Sequence, residues 1–181
     1  MTDVKAVARA EAFARRAEAF AAGQGQAAEI LADYLVPHRG KVLSGYMPMR
    51  SEIDPLPAMA AHQGPVGVPV ILAKAAPLRF REWSPGCRLV AGAFRALIPE
   101  EGAWVEPEVM IVPMLAWDRR GYRLGYGGGF YDRTLEGLRA RGRVVAVGFA
   151  FAAQEVAEVP TDAFDQRLDA VVTEKGVTVF A

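Results

Sequence analysis

The sequence predicts an α/β protein: a three-layer sandwich with a largely parallel central sheet flanked by helices. Three observations carry this. Stretches with strand-like apolar spacing alternate along the chain with stretches of helical spacing. The run Val109-Met-Ile-Val112 is apolar throughout and bounded by Glu108 and Pro113, as expected of a strand covered on both faces. No Gly/Ser-rich linker and no repeat interrupts the 181 residues, so 1–181 reads as one domain.

The elements follow in order. Residues 3–22 are dense in Ala, with Phe13, Ala17 and Phe20 at helical spacing, until Gly23 and Gly25 break the pattern. Ala27 to Leu35 carries Ile30, Leu31, Tyr34 and Leu35, a second amphipathic helix stopped by Pro37. Lys41–Tyr46 reads as a strand, Met47–Pro57 as a loop, Ala58–His62 as a short helix and Val68–Ala73 as a strand. Leu78–Trp83 alternates as a strand does, and Ser84-Pro-Gly is a turn. Beyond the buried run come a Gly-rich segment, a helix from Phe130 to Arg141, strands at Arg143–Phe149 and Asp169–Thr173, and a weakly alternating Gly176–Phe180.

With 52% hydrophobic and 23% charged residues, the composition excludes intrinsic disorder. Lys+Arg and Asp+Glu number 21 each, so no global field favours nucleic acid or an anionic membrane. The single Cys87 excludes an internal disulfide and any Cys-rich zinc site, and fits a reducing compartment. The N-terminal residues lack the basic and apolar regions of a secretory signal, and no stretch is apolar for long enough to span a bilayer. A cytoplasmic protein is expected.

Chemistry concentrates where the chain leaves the buried run. In an open α/β sheet that is the carboxyl edge, where ligands bind. Gly125, Gly127, Gly128 and Gly129 fall within five residues. Three consecutive glycines cost roughly 2–3 kcal/mol against Ala, so close approach of a phosphate to bare backbone N–H groups is the natural compensation. From Asp118 to Arg143, seven arginines face three acids, a local excess of +4 in a neutral chain. Arg forks match phosphate oxygens. Asp132 is placed to hold Mg²⁺ against them. A flexible turn with solvated arginines is the plainer alternative. No Gly-Lys-Ser/Thr follows, so this is not a Walker loop.

The stretch Asp118-Arg-Arg-Gly-Tyr-Arg-Leu-Gly-Tyr-Gly-Gly-Gly-Phe-Tyr-Asp132 resembles the signature of the 5-formyltetrahydrofolate cyclo-ligases, also called methenyltetrahydrofolate synthetases. Other pieces fall in family order: Lys5…Arg9, Ser51-Glu-Ile-Asp54, Leu78-Arg-Phe-Arg-Glu-Trp83, Gln154…Val159-Pro160, and Phe164 through Glu174. The resemblance implies a Rossmann-like fold of the NagB/RpiA/CoA-transferase type. It also implies conversion of ATP and 5-formyltetrahydrofolate to 5,10-methenyltetrahydrofolate, ADP and phosphate with Mg²⁺, by phosphorylation of the formyl oxygen and ring closure through N10. A monomer with ATP and a reduced folate as partners, and no nucleic acid or membrane, is expected.

Site residues follow from the matched positions. The family's ATP segment corresponds to Arg123, Leu124, Gly125, Tyr126, Gly127, Gly128, Gly129, Phe130 and Tyr131, with Arg123 and Tyr131 as catalytic groups. Tyr126 to Phe130 also border the folate. Lys5 and Arg9, on one helix face, correspond to nucleotide contacts, although from the residues alone a solvated face is the plainer reading. Glu52 matches the acid that accepts the pterin N–H groups and Met47 an apolar substrate contact, against the plainer reading of a loop carboxylate in water. Asp132 and Asp165 match Mg²⁺ ligands. One departure stands beside Asp165: many members carry His where this chain has Phe164. Trp83, Trp104 and Trp117 read as core or rim, and His38, His62 and Cys87 lie outside the matched motifs. Two rivals remain: a non-catalytic nucleotide- or RNA-binding relative, in which the Gly-, Arg- and Tyr-rich segment stacks bases, and an ATP-dependent enzyme acting on a non-folate amide.

Overall fold

The computed structural model describes residues 3–181. The first two residues of the segment read for a targeting signal lie outside that range. Along the chain the elements are α1 (Val4–Ala22), α2 (Ala27–Leu35), β1 (Leu43–Ser44), α3 (Leu56–Ala61), β2 (Val66–Val70), β3 (Arg79–Glu82), β4 (Leu89–Ala91), β5 (Leu97–Pro99), β6 (Trp104–Val105), β7 (Val109–Val112), β8 (Ala116–Trp117), β9 (Arg123–Leu124), α4 (Phe130–Arg141), β10 (Val145–Phe149), β11 (Ala170–Thr173) and β12 (Gly176–Val179).

Eight strands form one sheet in the order β12-β11-β10-β7-β1-β2-β3-β6. The five inner strands β11, β10, β7, β1 and β2 run parallel, and the rims are antiparallel. All four residues of β7 are fully buried, and their alternation divides the core. Val109 and Ile111 pack with Leu31 and Leu35 of α2, whereas Met110 and Val112 pack with Leu135 and Leu138 of α4. Helices therefore cover both faces, and the expected three-layer α/β sandwich is observed.

The order of strands places the site. From β1 the chain moves outward through β2 and β3, then returns to lay β7 on the other side of β1 and continues to β10 and β11. The winding reverses between β1 and β7, which leaves a crevice beyond their carboxyl ends.

Helices α2 and α4 have the expected bounds. The first strand is shorter than expected, pairing only at Leu43 and Ser44, because the chain then turns into the loop that carries Glu52. Two hairpins, β4–β5 and β8–β9, arise where no strand was expected. The buried face of α1 also differs: Ala12 and Arg16 are buried, while Ala17 and Phe20 of the expected apolar stripe are exposed. Among the described residues no helix is long and apolar enough to cross a membrane.

Candidate active site

A cavity of about 1180 Å³ opens at the crevice. Met47 lines it beyond β1, Ile71 beyond β2, and Pro113 beyond β7. The Gly-rich turn between β9 and α4, one face of α1 and the β4–β5 hairpin complete its walls.

The turn has local reasons for its glycines. Gly127 has φ +103° and Gly129, which precedes the first turn of α4, has φ +69°, both in the left-handed region that disfavours side chains. A Cβ on Gly127 would also meet the Arg9 guanidinium at 3.2 Å, and one on Gly128 would meet the Phe130 ring at 2.7 Å. Backbone conformation and packing thus account for much of the glycine content that the sequence alone attributes to phosphate. Arg9 sits over this turn, its Nε donating to the carbonyl of Gly125 at 3.0 Å, and Arg133 closes the other side by donating to the carbonyl of Gly128 at 2.7 Å.

The local excess of arginine does not converge on the cavity. Arg119 pairs with Glu155, Arg120 with Asp118, Arg139 with Asp169 and Arg141 with Glu106. Of the seven arginines only Arg123 and Arg133 line it, and Arg9 joins them from α1.

Beneath the turn, buried Arg123 donates from Nη2 to Asp132 Oδ1 at 3.1 Å. Its Nε and the Tyr131 hydroxyl are buried without a partner among the described residues. Burial, with the charge of Glu52 nearby, pushes the Tyr131 phenol far above its ordinary range, so it is a neutral donor. Asp132 Oδ1 also accepts the backbone N–H of Gln166 at 3.0 Å, which ties it to the segment carrying Asp165. Lys5 donates to Asp162 and Asp165 at 2.9 Å each. Burial lowers the Lys5 pKa, but its bonds to those two carboxylates outweigh that and raise it. The lysine expected on the nucleotide is therefore held by two acids at the cavity wall.

Glu52 lies opposite, 7% exposed, and is no solvated loop carboxylate. Its Oε1 accepts the Met49 N–H at 2.8 Å and its Oε2 accepts the Tyr126 hydroxyl at 2.7 Å. Burial raises its pKa, and these bonds with the charges of Arg16 and Arg50 only partly oppose the rise. Tyr126 thus links the Gly-rich turn to the acid across the cavity.

The family model of the 5-formyltetrahydrofolate cyclo-ligases matches residues 1–174. The chain belongs to the 5-formyltetrahydrofolate cyclo-ligase family. A member from Mycolicibacterium smegmatis is 35% identical over 152 residues, 75% of each chain. One from Haemophilus influenzae is 42% identical over 60 residues, 33% of this chain and 32% of that protein, so this match spans about a third of the relative's length. The NMR structure of Aquifex aeolicus 5,10-methenyltetrahydrofolate synthetase superimposes with a TM-score of 0.77 at 30% identity, covering 98% of this chain and 93% of that one.

Every position that the cyclo-ligase resemblance singles out lines the one cavity: Lys5, Arg9, Met47, Glu52, Arg123 through Asp132, and Asp165. Phe13 and the hairpin residues Phe94 to Ile98 line it as well, and no sequence signal pointed to them. Phe94, 60% exposed, faces the Phe130 ring at 6.3 Å from the tip of the hairpin. Phe164, the departure from the pattern noted in the sequence, stands at the cavity wall. The three tryptophans, the two histidines and Cys87 lie elsewhere.

The donor set suits magnesium. Asp132 Oδ2 and Asp165 Oδ1 take no hydrogen bond among the described residues, and Mg²⁺ commonly uses one or two carboxylates and completes its shell with phosphate and water. No cluster of three or more acids, histidines or cysteines stands there among the described residues.

Proposed function

We propose that this protein is a Mg·ATP-dependent 5-formyltetrahydrofolate cyclo-ligase, a single-domain cytoplasmic monomer with no nucleic acid or membrane among its partners. The observation that carries the reading is the double lining of one cavity. A glycine turn with three arginines suits a polyphosphate, and a buried carboxylate across from it suits the adjacent N–H donors of a pterin. A non-catalytic module needs neither Glu52 nor the Asp132–Asp165 pair, and a non-folate substrate leaves Glu52 and Met47 without a task.

The reaction follows from that arrangement. A formamide oxygen is a poor leaving group; attack of that oxygen on the γ-phosphorus, with loss of ADP, converts it into a good one. The N10 amine then adds to the former formyl carbon, the C–O bond breaks, phosphate departs and N10 gives up its proton. Little covalent chemistry falls to the protein, so positioning and charge stabilisation dominate. Arg9 and the N–H groups of the Gly125–Gly129 turn hold the phosphates. Arg123, braced by Asp132, offers its unpartnered Nε to the transferred group, and the neutral Tyr131 hydroxyl donates beside it. Asp132 and Asp165 would hold Mg²⁺, which neutralises phosphate charge. Glu52 and Tyr126 orient the pterin, and Met47 packs against it.

Purified protein supplied with Mg·ATP and 5-formyltetrahydrofolate is expected to develop the near-ultraviolet absorbance of 5,10-methenyltetrahydrofolate. Nucleotide binding without that product overturns the reading in favour of a binding module or another substrate.

A further inference from the structure

Arg16 is buried to 1% exposure in the middle of α1, yet it forms no direct ion pair among the described residues. An arginine hidden without a touching carboxylate is costly, and a methionine would pack there more cheaply. Its hydrogen bonds show what it serves. Nε donates to the hydroxyl of Ser51, the residue before Glu52, at 3.0 Å. Nη1 donates to the Met114 carbonyl just past β7 at 3.3 Å and to the Tyr126 hydroxyl, while Nη2 has no partner. The guanidinium also lies 5.5 Å from the centre of the Tyr126 ring and 5.4 Å from that of Phe13. The Tyr126 hydroxyl in turn donates a hydrogen bond to Glu52 Oε2 at 2.7 Å. Cation, hydroxyl and carboxylate form one chain of donors and acceptors, running from inside the fold to the cavity wall.

We propose that Arg16 is a positioning residue for folate recognition: it fixes the Tyr126 hydroxyl and, through it, holds Glu52 as a carboxylate aimed into the cavity. This rests on the reading of Glu52 as the pterin contact. A protonated Glu52 would offer fewer acceptor sites to paired N–H donors. Burial drives Glu52 toward that form, and the Tyr126 hydroxyl, the Met49 N–H, Arg16 and Arg50 oppose it. Arg50 is exposed and screened by solvent, so it cannot replace a desolvated charge. Tyr46, Tyr131 and Asp54, the remaining titratable groups near Glu52, supply no positive charge.

The test measures 5-formyltetrahydrofolate affinity by titration calorimetry between about pH 5.5 and 8.5 for the wild type, Arg16→Gln, Arg16→Lys and Glu52→Gln, with circular dichroism to establish folding. Arg16→Gln is expected to lose several-fold more affinity at the acidic end of that range than at the basic end, because without the cation the buried Glu52 takes up a proton more readily. Arg16→Lys keeps the charge and stays near wild type at both. An unchanged Arg16→Gln, or an equal loss at every pH, overturns the proposal. If Glu52→Gln binds like the wild type, the Glu52 reading itself is wrong; if Glu52→Gln weakens and Arg16→Gln does not, only the Arg16 inference falls. Should Arg16→Gln fail to fold, Tyr126→Phe decides. Its ring is half exposed, and an unmoved pH midpoint of folate binding overturns the relay, whereas an upward move supports it.

Discussion

Asp118 shows how a residue's surroundings decide its energetics. Its carboxylate is fully buried in the turn of the β8–β9 hairpin. It accepts the N–H groups of Arg120, Tyr122 and Val159 at 2.9, 3.3 and 2.8 Å, as well as the Arg120 side chain. Burial pushes its pKa up, but the Val159 N–H and the Arg120 bonds outweigh that and hold it below the ordinary aspartate value. A depressed folded pKa adds stability that is present above the unfolded value of about 3.9 and lost as pH falls through the folded one. Asp118→Ala, which strands those N–H groups in the interior, is expected to cost about 3 kcal/mol in urea unfolding at neutral pH. The variant should also show a smaller fall in stability than the wild type as the solution is taken below about pH 4. The sequence places Asp118 at the head of the family signature, but the Val159 N–H that it accepts comes from a segment remote in the chain.

At the scale of elements, α1 is the least anchored helix that touches the cavity. Of its apolar residues only Ala12 is fully buried, in a small cluster with Leu115, Ala116, Leu124 and Val159, with Ala8, Phe13 and Ala19 partly buried; much of the remaining hold is polar, Lys5 on Asp162 and Asp165, Arg9 on Gly125, and Arg16 on Ser51 and Tyr126. Few buried apolar contacts mean a low local opening free energy. Amide exchange in α1 should therefore outpace that in α4 and β7, and it should slow when Mg·ATP engages Arg9. Equal exchange in the three elements contradicts the weak anchoring of α1, and no slowing contradicts the nucleotide contact given to Arg9. Legibility differed among elements for physical reasons. Helices α2 and α4 are bounded by strong signals, Pro37 after one and Gly129 and Gly142 around the other, so their limits could be read directly. The β4–β5 and β8–β9 hairpins have strands of two or three residues, too short for any period to show. In α1 an alanine-rich composition leaves the buried face ambiguous, and a buried arginine defeats a hydropathy reading.

For the whole molecule, the sheet brings distant segments to one crevice with separable tasks. Glu52 follows β1, whereas Asp132 lies in α4 beyond the glycine turn. Glu52→Gln is expected to raise the folate KM by about 10–100-fold, the loss of a charge-assisted hydrogen bond, with little change in the KM for Mg·ATP. Asp132→Asn should show the reverse preference. Equal losses in both assays would undo the division of the cavity.

The sequence by itself determined the alternation of helices and strands, the doubly covered β7 and the family, because these rest on local composition, breakers and contiguous motifs. It also named side chains that the fold brings to both walls of the cavity. Only the tertiary structure decided that most of the signature's arginines are occupied elsewhere, that Lys5 is held by two acids, and that Glu52 is desolvated and linked through Tyr126 to Arg16. Those properties are sums over partners remote in the chain, and charge, burial and hydrogen bonding acquire values only when folding brings the partners together.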